Sequence, residues 1–360
     1  MSYLIPFTEF GQYLLFSLLA GHVVLLFVPE NKRPNTLISK PVLLLCVLGI
    51  IVLTFAPILQ AILYYKNSFG LLSAIISVVT GFQIGRAWIF LCLFSLCLWV
   101  TIYVNGSKFF RAQWLLLMIF AIGNAGHAAS LTYWPGIVAH TIHFLMMTTW
   151  VGVLLNVGWF SRDRDNWPHF LSWFTPLAMV SFIIIVISGF FLMFFVMKSG
   201  QYLNSWQVPY GRMLLLKHIS IIPVLVFAFI NSFLSKQSMK LSNFNPRPWL
   251  RAESIILLIV FFSTGVLGTL SPPHEVSSGF STRDKQTWMD WLLAKNITLF
   301  NQVELAPTVP SAFLMFISLL FLFLIFISFK KMSPAFAIIF AVSFILTIYL
   351  GLMFSVTIRI

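Results

Sequence analysis

The sequence predicts an all-α polytopic integral membrane protein, a helical bundle of about ten transmembrane spans. The 360-residue chain is 59% hydrophobic and only 9% charged, whereas soluble domains contain about 25% charged residues. Its apolar residues form many runs of about 20 residues, which is the length that an α-helix needs to cross a bilayer. The runs are continuous rather than alternating, so the pattern does not favour a transmembrane β-barrel.

The apolar runs and the loops between them place ten spans along the chain. The spans are predicted at 7–28, 41–65, 84–104, 113–132, 136–160, 171–197, 212–234, 252–270, 308–329 and 334–356. The short apolar segment 69–83 is either a broken, interfacial piece before the third span or the start of one long tilted helix. These boundaries divide the chain into an eight-span membrane core at 1–270, a long loop at 271–307 and two additional spans at 308–360.

Basic residues in the short loops predict the orientation of the chain. The loops that follow odd-numbered spans contain Lys32, Arg33, Lys40, Lys108, Arg111, Arg162, Arg164, Lys236, Lys240, Arg247, Arg251, Lys330 and Lys331. Cytoplasmic loops carry such an excess, so both termini are predicted outside and the long loop is predicted to be extracytoplasmic. The net charge of +13 is explained by this bias and does not indicate a nucleic-acid partner.

Four histidines near the outer ends of predicted spans are the main candidates for function. His127 lies in the fourth span, His140 and His143 lie in the fifth, and His218 lies in the seventh. Ionisable residues inside a bilayer are costly and usually mark an ion, proton or cofactor site. The alternative for each histidine alone is a hydrogen-bonded packing residue. Lys217, beside His218, either snorkels to the interface or neutralises an anionic group such as a haem propionate.

The fifth predicted span carries a face suited to copper. His140 and His143 are three residues apart and therefore share one side of a helix, which Met146 and Met147 continue inward. Histidine is the commonest protein metal ligand, and thioether sulfur favours Cu(I). The predicted metal ligands are the four histidines and Met147, although methionine in an apolar helix is more commonly core filling.

An ordered series of short motifs resembles the copper resistance D family, CopD. The series runs through GHAAS at 126–130, HFLMMTTWVG at 143–152, the pair Ser188–Gly189, YGRMLLLKH at 210–218, Asn231, RAE at 251–253 and SPP at 271–273. The resemblance implies an eight-span core that handles copper, as a multi-pass protein of a bacterial cytoplasmic membrane. His127 and His143 carry over from the family pattern, whereas His140 and His218 are added from their positions.

The leading prediction is a copper permease that imports the ion through the outer histidine and methionine site. The chain contains neither a GxxxxGK[ST] nor a DKTG-like motif, so transport would be passive or coupled to an ion. Copper itself and the lipid bilayer are the predicted partners. A separate extracytoplasmic copper-binding protein is a further candidate partner.

The alternative prediction is a b-type haem protein that transfers electrons or reduces copper. Two histidines on neighbouring helices can bind one haem iron axially. The candidate pairs are His127 with His143, or His140 with His218, and Lys217 with Arg212 would then meet the propionates. Copper chaperoning, sensing or assembly is a third function that the sequence leaves open.

Overall fold

The computed structural model describes residues 4–163, 165–197, 200–235, 245–271 and 302–358. Its helices are α1 Ile5–Phe27, α2 Lys40–Thr54, α3 Ala56–Phe69, α4 Leu71–Ile76, α5 Gln83–Tyr103, α6 Lys108–Ala125, α7 His127–Leu131, α8 Tyr133–Phe160, α9 Trp167–Val196, α10 Tyr202–Ser205, α11 Pro209–Phe229, α12 Arg247–Leu267, α13 Val309–Lys331 and α14 Pro334–Phe354. α4 continues into a π-helical segment at Ser77–Gly81, and α11 continues into another at Ile230–Leu234. Two short strands, β1 Val303–Leu305 and β2 Val356–Ile358, pair antiparallel.

The chain divides into two compact units, which are described separately. The first contains Met1–Phe195 and Ser235–Ser254, and the second contains Val196–Leu234 and Ile255–Ile360. The first unit therefore holds α1 to α8 and nearly all of α9. The predicted arrangement of an eight-span core with two additional spans stays a prediction.

Nine helical segments of the described chain are long and apolar enough to cross a membrane, which confirms the predicted fold class. They are Ile5–Phe27, Lys40–Ser68, Gln83–Tyr103, Tyr133–Phe160, Trp167–Val196, Pro209–Leu234, Arg247–Leu267, Val309–Lys331 and Pro334–Phe354. The remaining predicted span, 113–132, corresponds to α6 and α7, which are separated at Gly126. α6 is only 18 residues long and starts with two basic residues in its first turn, so it is less apolar than the others.

Segment 69–83 is a broken piece rather than the start of one long helix. Gly70 separates α3 from α4 with a φ of 79°, a left-handed conformation that glycine adopts without steric cost. Phe82 then has extended backbone, with φ −84° and ψ 146°, which separates the segment from α5. A Cβ on Gly85 would lie 2.1 Å from the carbonyl oxygen of Val78, so the segment folds closely against α5.

α1 and α8 run parallel in close contact. A Cβ on Gly21 would lie 2.0 Å from the carbonyl oxygen of Gly152, and one on Gly152 would lie 2.1 Å from that of Ser17. Nearer the start of both helices, the rings of Tyr13 and Phe144 pack edge to face with centroids 5.8 Å apart. The two contacts are eight residues apart in each helix, from 13 to 21 and from 144 to 152. Because the register is constant, residues of α1 and α8 can be matched by their position along the two helices, and matched residues lie at the same level.

The loops after α1 and α8 lie together at one end of the first unit. The amide of Leu37 donates to the carbonyl of Phe160, and the amide of Arg162 donates to the carbonyl of Asn35. We call this the basic end, defined by Lys32 and Arg162. The loops follow the first and fifth predicted spans, so the structure places both on one side, as the charge argument requires.

The second unit contains the small sheet. Val303 in β1 lies opposite Ile358 in β2, which joins the chain before α13 to the chain after α14. The side-chain oxygen of Asn204 in α10 accepts a hydrogen bond of 3.1 Å from the amide of Val303. Most of the predicted loop 271–307, including its residues 272–301, lies outside the described residues.

Candidate metal site

Three of the predicted histidines lie where α8 begins, at the end opposite the basic end. We call this the histidine end, defined by His127, His140 and His143. α8 starts here at Tyr133 and reaches the basic end at Phe160. His127 is exposed and is the first residue of α7, the short helix that precedes α8.

Close backbone contacts assemble the histidine end. A Cβ on Gly136 of α8 would lie 2.2 Å from the carbonyl oxygen of Ala128, so α7 and α8 touch through their backbones. A Cβ on Gly123 of α6 would lie 2.0 Å from Oγ1 of Thr141 on α8. The glycines therefore let α6 and α7 approach the first turns of α8, where the histidines are.

His143 is oriented by α9. Its Nδ1 lies 3.0 Å from the hydroxyl oxygen of Ser188 and 3.1 Å from the carbonyl oxygen of Ile185. A carbonyl oxygen only accepts hydrogen bonds, so the network assigns the proton of the neutral ring to Nδ1 and the lone pair to Nε2. Gly189 leaves room for the ring, since a Cβ there would lie 3.4 Å from Cε1. A hydrogen bond at one ring nitrogen is the usual way to orient a histidine whose other nitrogen binds a metal.

His140 lies about one turn above His143, towards the histidine end, and packs over a glycine. A Cβ on Gly126 would lie 2.1 Å from Nδ1 of His140 and 2.6 Å from its Cε1. The half-buried ring therefore occupies the space that a side chain at Gly126 would take. This contact gives a physical reason for the first residue of the GHAAS motif.

Met147 lies about one turn below His143 and is half-buried. It packs against a buried cluster from α1, α2, α5 and α6 that includes Phe16 and Met118. Such packing is the ordinary role of methionine in an apolar core. A metal-binding role for Met147 stays a prediction.

Lys217 and His218 belong to the second unit, in the third turn of α11. Nδ1 of His218 lies 2.7 Å from the hydroxyl of Tyr202 in α10, and the two ring centroids are 5.6 Å apart. Burial raises the pKa of Tyr202 to about 12, partly offset by a hydrogen bond with Trp206. The phenol is therefore neutral at physiological pH, and its hydroxyl positions the imidazole of His218.

Arg212, a predicted propionate partner in the haem alternative, is buried in the second unit. Its Nε donates to the carbonyl of Trp206 at 3.0 Å, and its Nη2 donates to the carbonyl of Gln207 at 3.1 Å. These hydrogen bonds fix the turn between α10 and α11. The contacts give Arg212 a structural role, and a role at a haem stays a prediction.

The predicted ligands are not gathered into one metal-binding group in the described parts of the chain. Within 4–163, 165–197, 200–235, 245–271 and 302–358, no three His, Cys, Asp or Glu side chains are arranged to hold a metal ion. The ligand set of His127, His140, His143, His218 and Met147 therefore stays a prediction.

Sequence reasoning missed an acidic side chain at the histidine end. Glu9 lies near the start of α1, where Nε2 of Gln12 donates a hydrogen bond to its carboxylate and the hydroxyl of Tyr13 bonds to it as well. Of the nine acidic residues in the sequence, only Glu9 and Glu253 fall within the candidate spans of the described chain. That rarity was the available signal, because acidic residues within spans usually serve a function.

The architecture defines a multi-pass α-helical membrane protein with histidines gathered at one end of its first unit. The model of the copper resistance protein D family, CopD, matches residues 168–267. Over this segment the chain resembles membrane proteins of the copper resistance protein D family, which confirms the predicted resemblance. Neither a curated protein nor a solved structure matches the chain.

The matched segment covers some of the predicted motifs but not all of them. It includes the Ser188–Gly189 pair and Lys217 with His218, and it begins after His127, His140 and His143. The resemblance to this family implies a membrane protein that handles copper. A role in copper binding for the three histidines that precede the segment stays a prediction, and the contact that links them to the segment is the one between His143 and Ser188.

Proposed function

We propose that the protein imports copper across a bacterial cytoplasmic membrane and takes up the ion at its histidine end. The observation that carries this proposal is the hydrogen bond between His143 and Ser188. It attaches an oriented imidazole to the segment that matches the copper family. The charge of the loops supports the orientation, because the basic end would face the cytoplasm and the histidine end would face outward.

The order of side chains along α8 supports an inward path for Cu(I). His127, exposed on α7, would meet the ion first and could receive it from a separate extracytoplasmic copper-binding protein. His140 and His143 follow at successive turns of α8, and Met147 lies one turn deeper. Imidazole nitrogen followed by thioether sulfur suits a Cu(I) ion that passes between sites.

An absorption spectrum with elemental analysis of the detergent-purified protein tests the proposal. The comparison uses the wild type, His143→Ala and the control His169→Ala, which removes an exposed histidine at the start of α9. We expect copper in the wild type and the control, a loss of copper in His143→Ala, and no Soret band in any sample. A Soret band that disappears in His143→Ala would establish the haem alternative instead.

Flux into liposomes then tests movement of the ion. Proteoliposomes loaded with a Cu(I) indicator should respond faster with the wild type and His169→Ala than with His143→Ala. Bound copper that never reaches the lumen would contradict transport while leaving the binding site intact.

A further inference from the structure

Glu9 is an acidic side chain at the histidine end to which the copper path assigns no role. It is half-buried on α1 and lies inside the candidate span Ile5–Phe27. A carboxyl group in a membrane segment is costly and is usually associated with an ion or proton site.

Two neighbouring side chains can bond to Glu9 in either protonation state. Nε2 of Gln12 donates to the carboxylate, and the hydroxyl of Tyr13 bonds to it as well. Gln12 is only 5% exposed, and its Oε1 has no hydrogen-bond partner in the described chain. An amide can turn to offer this oxygen to a protonated carboxyl, and a hydroxyl can likewise donate or accept. The surroundings of Glu9 therefore suit both the charged and the neutral form.

The register of α1 and α8 places Glu9 level with the histidines. Tyr13 packs against Phe144, and both helices keep the same register from this contact inward. Glu9 lies four residues before Tyr13, and His140 lies four residues before Phe144. Residues four apart share a helix face, so Glu9 and His140 lie at the same level of the α1–α8 interface. His143 directly precedes Phe144 in the chain.

We propose that Glu9 binds a proton that is released when a copper(I) ion binds at His140 and His143. This inference rests on the proposed function and identifies the ion coupled to it. One positive charge enters the site and one leaves, because the neutral carboxyl becomes a carboxylate while the histidines bind the cation. No electron is transferred, and the proton passes to water at the histidine end. A nearby cation favours an ionised carboxylate, and the favourable interaction is strong where little water screens it.

The elements packed against α1 bring few competing charges to this level. Titratable or charged groups on these elements are Tyr133, His140 and His143 on α8, Lys40 and Cys46 on α2, Tyr64, Tyr65 and Lys66 on α3, and Lys108 and Arg111 on α6, with His22 further along α1. Lys40, Lys108 and Arg111 start their helices at the basic end. Lys66 is exposed near the end of α3. The two histidines on α8 are therefore the groups placed to exchange charge with Glu9.

Titration calorimetry with silver(I), a redox-stable probe of a copper(I) site, tests the proposal in detergent-purified full-length protein. Heats measured in two buffers of different ionisation enthalpy give the protons released per silver ion. At about pH 6 the proposal has Glu9 neutral, and proton release from the histidines is common to all variants, so we expect equal proton release from the wild type and from Glu9→Asp. Glu9→Gln should bind silver and release about one proton fewer. Its affinity should also lose the roughly tenfold rise per pH unit expected of the wild type.

The other possible results contradict the proposal, and each contradicts a different part of it. Equal proton release from the wild type and Glu9→Gln would leave the copper site intact and remove the role of Glu9. A more than roughly hundredfold loss of silver affinity in Glu9→Gln at every pH would make the carboxylate a direct ligand. No proton release from the wild type at about pH 6 would overturn the proposal even if Glu9→Gln does not fold. A wild type that binds no silver would overturn the proposed function itself.

Discussion

The basic end and the histidine end of the first unit are built differently. At the basic end, two loops pair through their backbones, and the guanidinium of Arg251 lies 5.2 Å from the ring centroid of Trp159 while its Nε donates to the carbonyl of Gly158. At the histidine end, imidazole rings pack over glycine or bond to a hydroxyl, as His140 does over Gly126. Backbone pairing holds the loops in place, whereas the imidazoles would supply lone pairs to the proposed copper ion. Substitutions at the two ends should therefore separate stability from metal binding.

The largest effect on stability is expected at the close contact between α1 and α8. Gly152→Ala places a methyl group 2.1 Å from the Ser17 carbonyl oxygen. Because backbone cannot turn aside as a flexible side chain does, we expect a loss of about 3 kcal/mol or more in unfolding free energy. Thermal unfolding in detergent measures it. Gly158→Ala is the matched control on α8, since its methyl group would lie 3.6 Å from Leu250, an ordinary contact. Equal unfolding temperatures would contradict the close parallel contact.

The next largest effect, on copper(I) affinity, is expected at His140. It tests whether His140 belongs to the binding site at the histidine end. Gly126→Ala places a methyl group 2.1 Å from Nδ1 of His140, and the ring must turn away. If His140 is a ligand, copper(I) affinity should fall by roughly tenfold to a hundredfold while the protein stays folded. Competition with a chromogenic copper(I) chelator measures the affinity. Gly81→Ala, which meets nothing within 4 Å, serves as the control. An unchanged affinity would leave His127 and His143 as the site.

A smaller effect is expected when the hydrogen bond that orients His143 is removed. Ser188→Ala deletes the hydroxyl 3.0 Å from Nδ1 but keeps the carbonyl of Ile185 as an acceptor. We expect copper(I) affinity to fall by about tenfold, the lower limit for loss of a group that orients a ligand. Ser172→Ala, on the same helix, is the control, because Ser172 is exposed and its hydroxyl donates to the carbonyl of His169 within α9. A drop of similar size in both variants would indicate a general effect on α9.

The sequence predicted the membrane fold well because that prediction needs only local patterns. Continuous apolar runs and basic loops recur along the chain, and each can be interpreted without knowing its neighbours in space. The break at Gly70 also has a local cause, because glycine adopts its positive φ without steric cost. The pairing of β1 with β2 was not predicted, because it joins three-residue segments about fifty residues apart that carry no strand pattern of their own.

The candidate site was predicted only in part, because its geometry depends on contacts between helices. His143 and Ser188 stood out as separate motifs, but a single sequence does not show that they meet. Glu9 was missed because it lies in the first span, outside the motifs that drew attention to the later spans. Its position became informative once Tyr13 and Phe144 fixed the register of α1 against α8.

The smallest effect is expected at the basic end, and it tests whether the two ends are independent. Trp159→Phe removes an indole N–H that donates to the hydroxyl of Ser254 at 2.9 Å. Loss of one such hydrogen bond should lower the unfolding free energy by about 1 kcal/mol, and copper(I) affinity should not change. Combining Trp159→Phe with Ser254→Ala should destabilise the protein by less than the sum of the single changes, since both remove the same bond. A fall in copper(I) affinity in Trp159→Phe would mean that packing at the basic end is transmitted along α8 to the histidines. The two ends would then act as one site rather than as a support and a binding site.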